Sequence, residues 1–269
     1  MQDLKTQLVK FFRSAGEVFT VFFPMGLRAK KTRVFYVLSA LPVVIACLIK
    51  IVPLFSDMDK IDGMYAFTNI IMVFYFQFLI LIGALFFGTS VCSDELEGKT
   101  LTYLTTRPVF KSAVLVGKYV SYVLVLIGMT GAGVVLSFLI LNTDNLLELN
   151  YYGMLLKDLG VLCLGLVCYT ALFTMIGTFL KKSILFGLIF SFGWENVIQY
   201  FPGSTQRFAI AHYLKSLLPL PSTGRFSFLL FRLEPTPPGI SVLVLILLTI
   251  VFLAVSCLVF SIKEYILSD

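Results

Sequence analysis

The sequence predicts an all-α membrane protein. Six transmembrane helices follow an N-terminal amphipathic interfacial helix, with a short cytoplasmic helix between spans 2 and 3 and outer-surface or re-entrant helices between spans 5 and 6. Three observations carry this reading. The 269-residue chain is 58% hydrophobic and only 13% charged, against roughly 45–50% and about 25% in soluble domains. Its apolar runs are long enough to cross a hydrocarbon core of about 30 Å, which takes about 20 mostly apolar residues. Lys and Arg also gather in alternate connections, the pattern that orients membrane helices. The whole chain, 1–269, reads as a single domain, with 1–33 as amphipathic helix and linker and 34–269 as the six-span bundle. The bundle includes a cytoplasmic loop at 93–112 and an outer segment at 201–239.

The first element comes from the opening residues. At 100° per residue Leu4, Leu8, Phe11, Phe12, Ala15, Val18, Phe19 and Phe22 share one face, and Asp3, Lys10, Arg13, Ser14, Glu17 and Thr20 the other. Such a helix lies along the membrane surface, its aromatic face in the lipid boundary, or else it covers the base of the bundle. Pro24 and Gly26 end it in either case. The first apolar run begins only at Val34 and has the length of a span, so no cleaved signal peptide is expected.

The spans fall at 34–54, 65–92, 113–141, 153–180, 183–200 and 240–262. The fifth is short and carries Trp194, Glu195 and Asn196 near one end; a five-span arrangement would put the C-terminus on the other side. Arg28, Lys30, Lys31 and Arg33 precede span 1. Lys99, Arg107 and Lys111 lie between spans 2 and 3, and Lys181 and Lys182 between spans 4 and 5. The alternate connections carry Asp57, Asp59 and Asp62 beside one lysine, Lys60, and then Asp144 and Glu148 with none. Both termini are therefore expected in the cytoplasm. The net charge of +6 reads as topology and contact with anionic membrane lipid, with no nucleic acid as partner.

The stretch 93–118, SDELEGKTLTYLTTRPVFKSAVLVGK, interrupts the first half of the chain, and its Gly98-Lys99-Thr100 raises the question of nucleotide binding. A phosphate-cradling loop needs a glycine five positions before Gly98 and a strand ahead of it. Ser93 stands at that position, after a membrane span, and Asp94, Glu95 and Glu97 would repel a phosphate. A short cytoplasmic helix fits better. Asp94 is placed as N-cap with Glu97 three positions on; Leu96, Thr100, Tyr103 and Leu104 share a face, and Pro108 sets the limit near Thr106 or Arg107.

These residues resemble the permease subunits of type-2 ATP-binding-cassette (ABC) exporters. Members carry after their second span a stretch approximating Glu-x-Glu-x-Gly/Arg-Thr-Leu-x-x-Leu-x-x-x-Pro-x-x-Arg, then Gly-Lys entering the third. Glu95, Glu97, Thr100, Leu101, Leu104, Pro108 and Gly117-Lys118 match; Lys99 and Lys111 depart from the pattern. The six-span plan with both ends inside and the leading amphipathic helix are also similar to that family. The resemblance implies a permease in the plasma (inner) membrane of a prokaryote, without enzymatic activity of its own. It implies a separate cytoplasmic ABC ATPase dimer that binds ATP and Mg, no cofactor on this chain, and a second permease subunit, either an identical copy or a close paralogue. Residues 94–107 would be the coupling helix, with Asp94, Glu95, Glu97, Thr100, Leu101, Tyr103, Leu104, Arg107 and Pro108 meeting the ATPase.

Polar residues within spans are costly and tend to face a cavity or partner. Glu195 stands out: twelve residues beyond Ser183, a straight helix places it about 18 Å above the cytoplasmic edge, in the outer half of the membrane. With Trp194 and with Gln77 in span 2 it is a candidate for the transport path or gate. Lys118 is expected to snorkel at the cytoplasmic edge, and Lys50, Lys157 and Asp158 to sit near the outer one. Small-residue patches, Ala84-x-x-x-Gly88 and Gly128-x-x-x-Ala132 with Gly131 and Gly133, suit close helix approach between subunits or within one. The prolines from Pro202 to Pro238 divide the outer segment into helices at 205–218 and 226–233.

The five cysteines, with no CxxC pair and a single histidine, His212, argue against a disulfide framework or a zinc site. Two further readings compete. A membrane-embedded lipid-processing enzyme would use Glu195 or Asp158 as acid or base, but paired carboxylates and a histidine cluster are not evident. The other keeps the fold and makes the chain a conformational-signalling or assembly subunit.

Overall fold

A chain with this much apolar sequence can satisfy its backbone inside a bilayer only by closing its hydrogen bonds within each segment. The computed structural model describes residues 2–55, 62–97, 111–143, 149–180, 182–198, 204–218 and 236–262, and every regular element among them is helical. The elements are α1 (Gln2–Arg28), α2 (Lys30–Phe55), α3 (63–97), α4 (Lys111–Leu141), α5 (Leu149–Phe179), α6 (183–198), α7 (Ile210–Leu217) and α8 (Pro238–Ile262). Five of them, α2, α3, α4, α5 and α8, are long and apolar enough to cross a membrane. The segment expected as the fifth span is short, its apolar part running Ser183–Glu195, and α7 adds only 8 residues after it.

α1 does not stop at Pro24 or Gly26 as the sequence suggests; it runs through both to Arg28. Proline costs one backbone bond, and packing along α4 outweighs that loss: Gly26 lies against the ring of Tyr122, leaving room for no more than contact at 3.4 Å. The chain breaks instead at Ala29. There Thr32 donates its hydroxyl to the Gly26 carbonyl and its amide to the Ala29 carbonyl, so helix-end acceptors are satisfied locally. α1 thus packs along α4 while Phe12, Val21 and Met25 remain exposed.

α3 begins with Asp62, whose carboxylate accepts the Tyr65 amide at 3.1 Å. Its course is interrupted by two π-helical turns, Phe67–Ile71 and Tyr75–Leu79, before Ile80–Glu97 winds regularly. Wide turns of this kind mark places where a helix is re-aimed. The second turn presents Tyr75, fully buried, with its hydroxyl 3.4 Å from the Ser39 carbonyl of α2 and against Gly133 of α4.

Within lipid, helices gain from close packing rather than from escape from water. α3 and α5 show this: a methyl group on Gly88 would meet the Thr170 carbonyl and Phe173 Cβ, both at 2.8 Å. The Ala84/Gly88 patch therefore serves packing within the chain. Gly128 differs, since a methyl there would meet nothing within 4 Å. Buried hydroxyls are returned to the preceding turn of their own helices, as in Thr130 to Leu126, Thr174 to Thr170 and Thr249 to Leu245. α8 opens with Pro238 at its first position, where no amide is needed, and buries Ser241, Leu245, Thr249, Ser256 and Phe260 while Leu243, Leu247, Ile250 and Leu258 face outward.

Candidate functional site

Two constellations stand out, one at the start of α4 and one where α6 meets α7. The first grows from Gly117 and Lys118. A Cβ on Gly117 would come within 2.7 Å of the Ala15 carbonyl and 2.9 Å of Val18 Cβ, so α1 reaches α4 only because glycine stands there. Lys118 does not snorkel. It is 2% exposed, with Nζ 4.6 Å from the ring centroid of Phe22 on α1 and donating to the Val91 carbonyl of α3 at 3.5 Å. The aromatic face and the carbonyl compensate the buried ammonium. Ser121, one turn on, donates to the Phe19 carbonyl at 3.5 Å and to the Gly117 carbonyl at 2.8 Å. Lys31 is likewise turned inward, 4.5 Å from the Tyr122 ring centroid. α1, α3 and α4 are thereby tied together by one glycine and one lysine.

The first of the expected coupling residues follow this joint along α3. Val91 lies one turn before Asp94 on α3, and α3 continues unbroken through Asp94 and Glu95 to Glu97. Asp94 is therefore inside a helix and is not the N-cap of a new one. A cap requires a residue with non-helical backbone, and after Gly88 nothing in this stretch breaks the helix. Thr100, Leu101, Tyr103, Leu104, Arg107 and Pro108 lie outside the described residues.

The second constellation centres on Glu195, 1% exposed, at the end of a π-helical turn, Phe190–Glu195, in α6. Its Oε1 accepts the Tyr169 hydroxyl at 2.7 Å, the Ile210 amide at 2.9 Å and the Ala211 amide at 3.4 Å. Ala209, the residue before α7, has no side chain able to cap. The carboxylate of α6 supplies that cap from outside, where the helix end carries partial positive charge. Lys215, one turn after Ala211, adds an opposing charge. Tyr169 lies ten residues before the end of α5 at Phe179, about 15 Å by helical rise. Glu195 thus stands level with Tyr169, at the end of a π turn that re-aims α6.

Trp194 and Glu195, adjacent in sequence, are turned apart: the indole is 51% exposed on the outside of the bundle. Gln77 is half-buried in the second π turn of α3. Asp158, expected near the outer edge, is buried. The predicted 205–218 helix is divided, a 3-10 turn at Ser204–Phe208 preceding α7. His212 places Nε2 2.9 Å from the Thr236 hydroxyl, and the Thr236 amide donates to Ser216 at 3.3 Å, which fastens α7 to the start of α8. The segment 226–233 lies outside the described residues. Tyr169 escaped the sequence reading, because an aromatic residue in an apolar run gives no signal of the carboxylate it holds.

A family model described as an ABC-2 family transporter protein matches residues 7–265, from within α1 to beyond α8. The chain belongs to the ABC-2 transporter family. No curated protein and no solved structure matches the chain. As the membrane component of an ABC-2 transporter, it is a multi-pass membrane protein with a permease role, and the family implies partnership with an ABC ATPase. Both the α1–α3–α4 joint and the α6–α7 junction lie inside the ABC-2 match. In this transporter the three donors on one Glu195 oxygen favour a structural carboxylate that holds two short helices end to end.

Proposed function

We propose that the chain is the permease subunit of an ABC exporter, moved by a separate cytoplasmic ATPase dimer that binds ATP and Mg. It would work beside a second permease subunit in the inner membrane of a prokaryote. In this reading both termini are cytoplasmic, α6 and α7 make the fifth crossing in two pieces, and residues 94–107 are received by the ATPase. The observation that carries it is the Lys118 joint, one turn from Asp94. Closure of an ATPase on the 94–107 segment moves the end of α3. Because Lys118 ties that end to α4 and α1, three elements shift as one body, and differential contact with the ATPase in its two states supplies the driving force.

Upstream along α3 the motion meets the two π turns, and on the other side of the bundle the Glu195 junction. Both are places where a helix is already divided, so bending there disrupts fewer regular backbone bonds. Native extraction tests the reading. An ABC ATPase should co-purify with the wild-type chain and be lost when Glu95→Lys and Leu104→Asp are combined, with the permease itself still folded. A chain that associates with no ATPase, or keeps it through both changes, is not driven in this way.

A further inference from the structure

We infer that the groove between α1, α2 and α4 is a binding site for an anionic phospholipid, its acyl chain in the groove and its headgroup on the cations of the α1–α2 joint. The groove has a volume of about 420 Å³, and its walls are almost wholly apolar, including Leu27 of α1, Tyr36, Ala40 and Val44 of α2, and Gly128 and Ala132 of α4. Of the two hydroxyls that α2 brings to the groove, that of Ser39 is already engaged with the Met129 carbonyl at 3.2 Å. Gly128 and Ala132 keep the floor low; a methyl on Gly128 would touch nothing within 4 Å. The site requires only that the chain spans a membrane, not that it is driven by an ATPase.

Charge decides the occupant. Arg33, Tyr36, Ala40 and Val44 recur at three- and four-residue spacing, so Arg33 stands at the end of the same helix stripe that lines the groove. Arg28 directly follows Leu27, and Lys30 opens α2. All three cations are exposed, and among the described residues none is held in an ion pair. Lys31, by contrast, is turned onto Tyr122. No carboxylate lines the groove. An apolar trough that ends in three available cations at a helix joint matches a lipid with an anionic headgroup, and a helix from a second copy of the chain would leave those charges without a partner.

The test uses the purified full chain in nanodiscs of phosphatidylcholine doped with phosphatidylglycerol that carries a diazirine on its acyl chain. Photolysis should label α2 around Ala40–Val44 and α4 around Gly128–Ala132 in preference to the same diazirine on phosphatidylcholine. Changing Arg28, Lys30 and Arg33 to Gln in turn should reduce that preference by about fivefold per cation. Gly128→Leu should abolish the labelling while Gly128→Ala retains it; if Gly128→Leu does not fold, Ala40→Leu fills the groove from the opposite wall. Equal labelling by the two lipids, or labelling that survives the filled groove, overturns the proposal. So does a Gly128→Cys variant that joins two copies in a disulfide and excludes the label, since the groove is then a subunit interface.

Discussion

Tyr169 donates its hydroxyl to Glu195 at 2.7 Å, and the same carboxylate oxygen receives the first amides of α7. One residue thus joins three helices. Glu195→Ala leaves a buried hydroxyl and two helix-end amides without their acceptor, a loss of about 2–4 kcal/mol. Glu195→Gln retains a carbonyl acceptor and Tyr169→Phe removes one donor, each costing about 1 kcal/mol. Heat-induced loss of folded protein in detergent should shift by roughly 5–10 °C for the alanine variant and less for the other two. An alanine variant as stable as wild type would remove Glu195 as the cap of α7.

Gly117 and Gly128 sit on the same helix and should respond in opposite ways. Gly117→Ala forces a methyl toward the Ala15 carbonyl and Val18, overpacking by about 1–3 kcal/mol and lifting α1. Gly128→Ala adds the same methyl to open space. Tryptic cleavage after Arg28 should quicken by about tenfold in the first variant and stay at the wild-type rate in the second.

Lys118→Met keeps the length and bulk of the side chain but drops its charge. The change removes a charge-assisted hydrogen bond to Val91 and a cation–π contact with Phe22, so stability should fall by no more than about 3 kcal/mol. What should be lost is communication. In a complex with the ATPase, thiol labelling of Val197→Cys on α6 should change with ATP when Lys118 is present and stop changing when Met replaces it. A response that persists would restrict Lys118 to a packing role.

Trp194 is the chain's single tryptophan, and its indole is 51% exposed. In vesicles containing brominated phospholipid its fluorescence should be strongly quenched. Weak quenching would mean that a partner helix covers this face of α6.

Five of the six expected spans were legible because about 20 apolar residues in a row have few other fates, and the family because Glu95, Glu97, Pro108 and Gly117-Lys118 keep their spacing. Two of the failures share a cause. Pro24 ought to stop α1 and Lys118 ought to reach for water, and each is overruled by neighbours far away in sequence, Tyr122 for α1 and Phe22 with Val91 for the lysine; Asp94 ought to start a helix, but α3 simply runs on through it. Glu195 was visible as an anomaly, but its partners lie on α5 and α7, and no periodicity announces a π turn.

The claim that the chain is moved from outside the membrane is tested most directly by photo-crosslinking in cells, with a photoreactive residue placed at Glu95, at Leu104 and, as control, at outward-facing Leu247 of α8. The account predicts adducts at the first two positions with a protein carrying an ABC nucleotide-binding domain, identified by its peptides, and none at Leu247. Absence of such an adduct at both Glu95 and Leu104, with the chain correctly inserted, would contradict it.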